Sequence, residues 1–124
     1  MEKRKVIERI SEYLQEEMAG ADQARSAEIK RLVLMYRFLP ARHYAVGEAI
    51  IPSSLVELSL NGNRAFYFIA PQGGGLITQI DGKAVQVITP NSPLGEVLLG
   101  KKAGEEISVD VRGSTRTYSI ISVV

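Results

Sequence analysis

The sequence predicts an α+β protein: an N-terminal antiparallel helical hairpin, a short coiled coil, followed by an antiparallel β half-barrel with one short helix. Three observations predict it. The chain changes character near Pro40, because all five prolines and every glycine but Gly20 lie from there onward. Before that point apolar residues recur at helical spacing, and from residue 53 onward they alternate with a period of two. Among the strands, a Ser-Pro pair opens one short helical run. Helix first and strands after is the order of an α+β chain or of two separate modules. The expected division is a hairpin over 1–40, a linker over 41–52 and a β domain over 53–124.

In the first segment, Val6, Ile10, Tyr13, Leu14 and Met18 fall on one helical face. Ile29, Leu32, Val33, Tyr36 and Leu39 repeat the pattern. Between them Gly20 suits a helix C-terminus and Asp22 an N-cap. A hairpin with its tip near residues 18–22 is favoured, because an apolar stripe this long needs a partner. One continuous helix remains the alternative: it would carry Gly20 at a cost of about 1 kcal/mol and could find its partner in a second copy.

The strands are read from alternation and turn chemistry. Leu55 to Leu60 leads into Asn61-Gly62, a strong hairpin signal, and Arg64 to Ala70 returns. Pro71-Gln72-Gly73-Gly74-Gly75 reads as a loop. Leu76 to Ile80, Asp81-Gly82, and Lys83 to Ile88 form another strand–turn–strand unit. Ile107, Val109 and Val111 alternate, Arg112-Gly113-Ser114 turns the chain, and Thr115 to Val123 closes it. The short helix lies before this last pair. Ser92 suits its N-cap, Pro93 its first position and Gly100 the residue past its end, with Lys101 and Lys102 at the negative end of its dipole. Leu94, Val97 and Leu98 fall on one side of it, and burying them contributes about 1.5–3 kcal/mol each. The short helix is thus a cover that gives a small sheet its core.

Composition excludes several classes of function. A chain of 124 residues with 45% hydrophobic and 23% charged residues is an ordinary globular domain. A formal net charge of +1 marks no general affinity for nucleic acid or membranes. With no cysteine there is no disulfide or thiolate chemistry. His43 is the single histidine, so a His-based metal cluster or a Ser-His-Asp triad with a second histidine is not available. The glycine run at 73–75 lacks the Lys-Ser/Thr of a phosphate-binding loop. No leader or membrane span is read, and a cytoplasmic protein is expected. Phe66, Tyr67 and Phe68 alternate on a strand, and at least two of them are expected in the core.

Charge along the hairpin is polarised. Lys3, Arg4, Lys5 and Arg9 begin the first helix, and Lys30, Arg31 and Arg37 come late in the second, so all fall at the base of an antiparallel pair. Glu16, Glu17 and Asp22 lie toward the tip, with Glu12 below them. Carboxylates at an exposed tip could hold a hard divalent cation supplied by a partner. The plainer reading is a solvated helix face, with Asp22 serving mainly as an N-cap.

The stretch from Ser92 to Val123 resembles the C-terminal domain of the bacterial Gre transcript-cleavage factors. The resemblance lies in Ser92-Pro93, in Leu98-Leu99-Gly100-Lys101, in the Gly104-Glu105 turn, and in Tyr118, Ile120 and Val123. It extends over about residues 86–124, with a fainter echo over 50–70. It implies an FKBP-like fold for the β domain, docking on RNA polymerase at the rim of its secondary channel, and insertion of the hairpin into that channel. Asn91, Ser92 and Pro93 are the docking candidates that follow, and Lys101 is a further cation beside them. In the family, acidic residues at the hairpin tip face a magnesium ion of the polymerase; no cofactor of the chain's own is implied. Two departures stand out: helices of about 16 residues give an arm of roughly 24 Å, and the family's Gly-Asp-Leu-Ser-Glu-Asn-Ala-Glu-Tyr tip motif is absent. Both make stimulated cleavage doubtful, and in arm length the chain is nearer the short-armed regulators of nucleoside diphosphate kinase. The expected function is a polymerase-binding regulator without enzyme activity, monomeric for preference, contacting nucleic acid only through the transcription complex. The alternative is an FKBP-like peptide-binding or prolyl-isomerase module.

Overall fold

Val6, Ile10 and Leu14 stand one helical turn apart, and with Ile7 they are the buried apolar face of helix α1, Lys3–Met18. The chain then breaks, because Asp22 accepts a 2.8 Å hydrogen bond from the Arg25 N–H and starts helix α2, Gln23–Arg37. Two helices therefore form, joined by a turn over residues 19–22. The computed structural model describes all 124 residues, and it continues with strands β1 (Leu55–Leu60), β2 (Asn63–Ile69), β3 (Ile77–Ile80) and β4 (Lys83–Ile88). Helix α3 (Pro93–Leu98) and strands β5 (Glu106–Val111) and β6 (Ser114–Val123) follow. No helix is long and apolar enough to cross a membrane.

The six strands form one sheet in the order β3-β4-β2-β1-β6-β5. Four neighbouring pairs are antiparallel and one, β2 with β4, is parallel. Three of the antiparallel pairs are hairpins closed by a residue and a glycine that both take positive φ: Asn61-Gly62, Asp81-Gly82 and Arg112-Gly113. That geometry matches the twist of the flanking strands. A register shift between Glu57 and Leu58 bends β1 where it meets β6.

Alternation along the strands builds two cores on opposite faces. On one face Leu55, Phe68, Ala70, Ile80, Val85 and Val87 pack with Val6, Ile7, Ile10 and Leu14 of α1 and Ile29, Leu32 and Tyr36 of α2. The Tyr36 and Phe68 rings lie 6.3 Å apart. On the other face Val56, Leu58, Ile69, Ile88, Ile107, Val109, Tyr118 and Ile120 pack under Leu98, with Leu94, Val97 and Leu99 alongside. Phe66 and Phe68 thus belong to the helical side and Tyr67 to the α3 side.

The helical pair differs from an arm held clear of the sheet. Helix α1 runs along β3, with Lys5 of its first turns 3.7 Å from Asp81 at the far end of that strand. The reason is the width of its stripe. Ile7 adds to the row of Val6, Ile10 and Leu14, so α1 has apolar surface for the sheet as well as for α2.

Residues 41–54 secure this arrangement. The α1 N-cap residue Glu2 makes no side-chain cap; instead the Lys3 N–H donates to Nε2 of His43 at 3.3 Å. Lys3 Nζ is buried without a hydrogen-bond partner and stacks 3.6 Å from the centre of the Tyr44 ring. Arg42 lies over the same ring at 4.9 Å. Burial, then the Arg42 charge, lowers the Lys3 pKa to about 8, against a smaller upward pull from Glu48. The Tyr44 hydroxyl is hydrogen-bonded to Ser53, whose own φ is positive.

The glycine run joins the two faces. A Cβ on Gly73 would press on the Leu32 side chain, at 2.9 Å from its nearest atom, and one on Gly74 would press on Thr89 Cγ2 at 2.8 Å. The Gly75 N–H donates to the Val87 carbonyl at 2.9 Å. The loop expected between the strands is present, and at Gly73 it packs closely under α2.

Candidate docking surface

The short helix is fixed by a small polar knot. Ser92 Oγ accepts the Gly95 N–H at 3.1 Å and donates to the Thr89 carbonyl at 2.7 Å. Gly95 is buried, and a Cβ there would collide with that same carbonyl. Thr89 Oγ1 donates in turn to Asn91 Oδ1 at 2.7 Å. Ser92 is therefore occupied as a cap, while Asn91 and Pro93 stand exposed at the corner. At the other end of the helix, the Lys101 backbone pairs with Leu98 and Ile50 and its side chain is exposed.

Beside the knot lies a groove of about 250 Å³ between the start of α3 and the sheet. Ile88, Leu94 and Val109 make its apolar floor, and Tyr67, Arg116 and Tyr118 bring polar groups to it. The Tyr67 phenol is pushed above its ordinary pKa by burial first and by the neighbouring Tyr118 next, while Arg116 pulls it down. Arg116 forms no salt bridge. The surface thus offers an apolar slot, two phenols and a free guanidinium, a combination suited to a protein partner. Asn91, Ser92 and Pro93 come together on it, and Lys101 lies at the opposite end of α3. The sequence reading missed Tyr67 and Arg116. They come from strands separated by β1 in the sheet, so no local spacing joins them; the inward phase of β2 at Tyr67 was the one available sign.

The acidic residues at the hairpin turn do not converge. Glu17 Oε1 is 2.7 Å from Arg25 Nη2, and Glu28 lies 3.1 Å from the same guanidinium. Glu16 is 3.5 Å from Arg9, and Asp22 caps α2. The Arg25 pKa is raised by its bonds to Glu17 and Glu28. No group of three or more His, Asp or Glu side chains is placed to hold a metal ion. As placed, these carboxylates are engaged with arginines and a backbone N–H rather than grouped around one point. Arg9 therefore links the basic base to the acidic end, and Arg25, itself at the tip, offsets the charge there.

Residues 77–124 match the family described as transcription elongation factor, GreA/GreB, C-term. Transcription elongation factor GreA of Mycobacterium tuberculosis (strain ATCC 25618 / H37Rv) is 37% identical over 87 residues, 62% of this chain and 51% of that protein. GreA of Mycobacterium bovis (strain BCG / Pasteur 1173P2) matches to the same extent. The chain spans about half the length of these curated relatives. The solved structure of the transcription factor Gfh1 superposes with a TM-score of 0.53 at 22% identity, covering 98% of this chain and 85% of that one. Gfh1 of Thermus aquaticus gives a TM-score of 0.52 at 21% identity over 98% and 86%. These two likenesses speak for the fold, helical pair included. Residues 77–124 thus match the GreA/GreB C-terminal family, and the chain shares the Gfh1 architecture over nearly its whole length.

Proposed function

We propose that the chain is a transcription elongation factor-like regulator that binds bacterial RNA polymerase at its secondary channel through the α3 face. One observation carries this reading: the helical pair packs on the opposite face of the sheet, which leaves the Asn91–Pro93 corner and the tyrosine-lined groove open. The helical pair, although seated on the sheet, presents its turn at residues 19–22 to the channel as a short arm. It brings no magnesium site and no enzyme activity of its own, and the carboxylates of Glu16, Glu17 and Asp22 are held in local pairs. The factor therefore occupies the channel without speeding transcript cleavage, and it works as a monomer in the cytoplasm. Capture of core polymerase on the immobilised full chain tests this. Binding that GreA displaces, and that Pro93→Ala with Arg116→Glu weakens, supports the proposal; no capture, or capture indifferent to GreA, overturns it. Faster cleavage of backtracked complexes, abolished by Glu16→Ala with Glu17→Ala, would overturn the non-cleaving part alone.

The groove also favours a second reading. Tyr67 and Tyr118 beside an apolar floor could take a peptide in the manner of an FKBP-like module. A proline-isomerisation assay on a short peptide separates the two: turnover lost on Tyr67→Ala supports this one.

A further inference from the structure

The helical pair covers only part of its face of the sheet. Beyond it, Glu57 of β1 stands directly opposite Phe66 of β2. Phe66 is paired with Val85 of β4, and Lys83, two residues before Val85, shares its side of that strand. Arg64, two residues before Phe66, completes the set. These four, with Ala65 and Ala84, line a cavity of about 350 Å³ where the parallel strands β2 and β4 begin. The polymerase reading uses none of them.

Each group is incompletely engaged. The Glu57 side chain is only 16% exposed, yet its nearest cation, Arg64, is 3.8 Å away, beyond hydrogen-bonding distance. The carboxylate oxygens stay in reach of solvent and accept no hydrogen bond from the protein, so they are open to a ligand's donors. Lys83 Nζ hovers 5.6 Å from the centre of the Phe66 ring and has no carboxylate partner. The complement of this cleft is a planar ring for Phe66, two adjacent N–H donors for Glu57, and an anion for Arg64 and Lys83.

We propose that the cleft binds a guanine nucleotide. Guanine alone among the common bases carries two adjacent donors, N1–H and the N2 amino group, on its pairing edge, and these match the two oxygens of one carboxylate. Adenine and cytosine set a donor beside an acceptor, and uracil sets one between two acceptors, which would face Glu57 unfavourably. The base stacks on Phe66 in place of the Lys83 ammonium, and Lys83 turns with Arg64 to the phosphate.

Isothermal titration of the full chain with GMP, AMP and guanosine, at low salt, tests this. GMP is expected to bind about tenfold or more tightly than AMP, and likewise than guanosine. Glu57→Gln supplies a donor where an acceptor is needed; it should erase the preference for GMP over AMP. Lys83→Ala, at an exposed position, should bring GMP down to the level of guanosine and leave guanosine unchanged. Unaltered thermal melting of both variants certifies their fold. Equal binding of GMP and AMP, no binding of GMP, or a guanine preference that survives Glu57→Gln overturns the proposal. A guanine in single-stranded RNA presents the same chemistry, so a tetranucleotide with one guanine is titrated alongside. GMP binding at least as tightly assigns the cleft to the free nucleotide, and clearly tighter binding of the tetranucleotide overturns that assignment.

Discussion

On one face of the sheet, two helices press Val6, Ile10, Leu14, Ile29 and Tyr36 onto Leu55, Phe68, Val85 and Val87. On the other, a six-residue helix brings down Leu98, with Leu94 and Val97 half-buried beside it. The larger cover is held by apolar area, and that area tolerates misfits: the two buried polar atoms without partners, Lys3 Nζ and the Tyr36 hydroxyl, belong to helices α1 and α2. The smaller cover has little area to hold it and depends on the Thr89–Ser92–Gly95 knot. Hydrophobic burial is non-directional, so it keeps the helical pair on the sheet without fixing one corner of it. Hydrogen bonds are directional, and they set the corner that the docking proposal uses.

The largest effects should come from the cores themselves. Ile10→Ala and Leu98→Ala are each expected to cost about 2–5 kcal/mol. Hydrogen exchange distinguishes the two covers: the first variant should speed exchange in α1 and α2, and the second in α3 and β5. Identical exchange patterns would mean that the two faces unfold as one. Gly95→Ala should come next, at about 1–3 kcal/mol, because the added methyl meets a backbone carbonyl. Its urea midpoint should fall further than that of Ser92→Ala, which loses a cap worth about 1 kcal/mol.

Lys3 offers a test with a pH signature. The folded protein releases the Lys3 proton near pH 8, whereas the unfolded chain holds it to 10.5. Unfolding therefore takes up a proton between these values, and stability rises with pH across that window. It should fall again at higher pH, since burial raises the Tyr36 pKa and the unfolded chain ionises that phenol first. Lys3→Met should raise stability at pH 7 by about 1–3 kcal/mol and flatten the rise above pH 8 in urea titrations. The smallest effect belongs to the edge hairpin. Arg112 occupies a left-handed position where asparagine is better tolerated, and Arg112→Asn should add about 0.5 kcal/mol, visible as a small increase in melting temperature.

Much of this was legible in the sequence because local signals and global fold agree. The three X-Gly pairs marked the three hairpins, Asp22 marked the start of α2, and Ser92-Pro93 marked α3. The parallel pairing of β2 with β4 was not legible, because strand order depends on contacts remote in sequence. The docking of α1 on the sheet was hidden for a related reason. A stripe of Val6, Ile10 and Leu14 fits a partner helix and a sheet equally well, and only the added burial of Ile7 tips it toward serving both. Candidate site residues divided the same way. Asn91, Ser92 and Pro93 are contiguous, so a sequence can propose them together; Tyr67 and Arg116 meet them only through the folded sheet. The carboxylates of Glu16 and Glu17 looked free along the helix because Arg9 and Arg25 reach them from other turns.

The glycine crossing has a consequence for how the molecule can vary. Gly73 rests on Leu32 of the helical pair, and Gly74 rests on Thr89, whose carbonyl anchors Ser92. Neighbouring residues of one short run therefore touch a support of each cover. A methyl at Gly73 would meet both a left-handed backbone and Leu32, and one at Gly74 would press on Thr89, so each half of the molecule feels a change in this one short run.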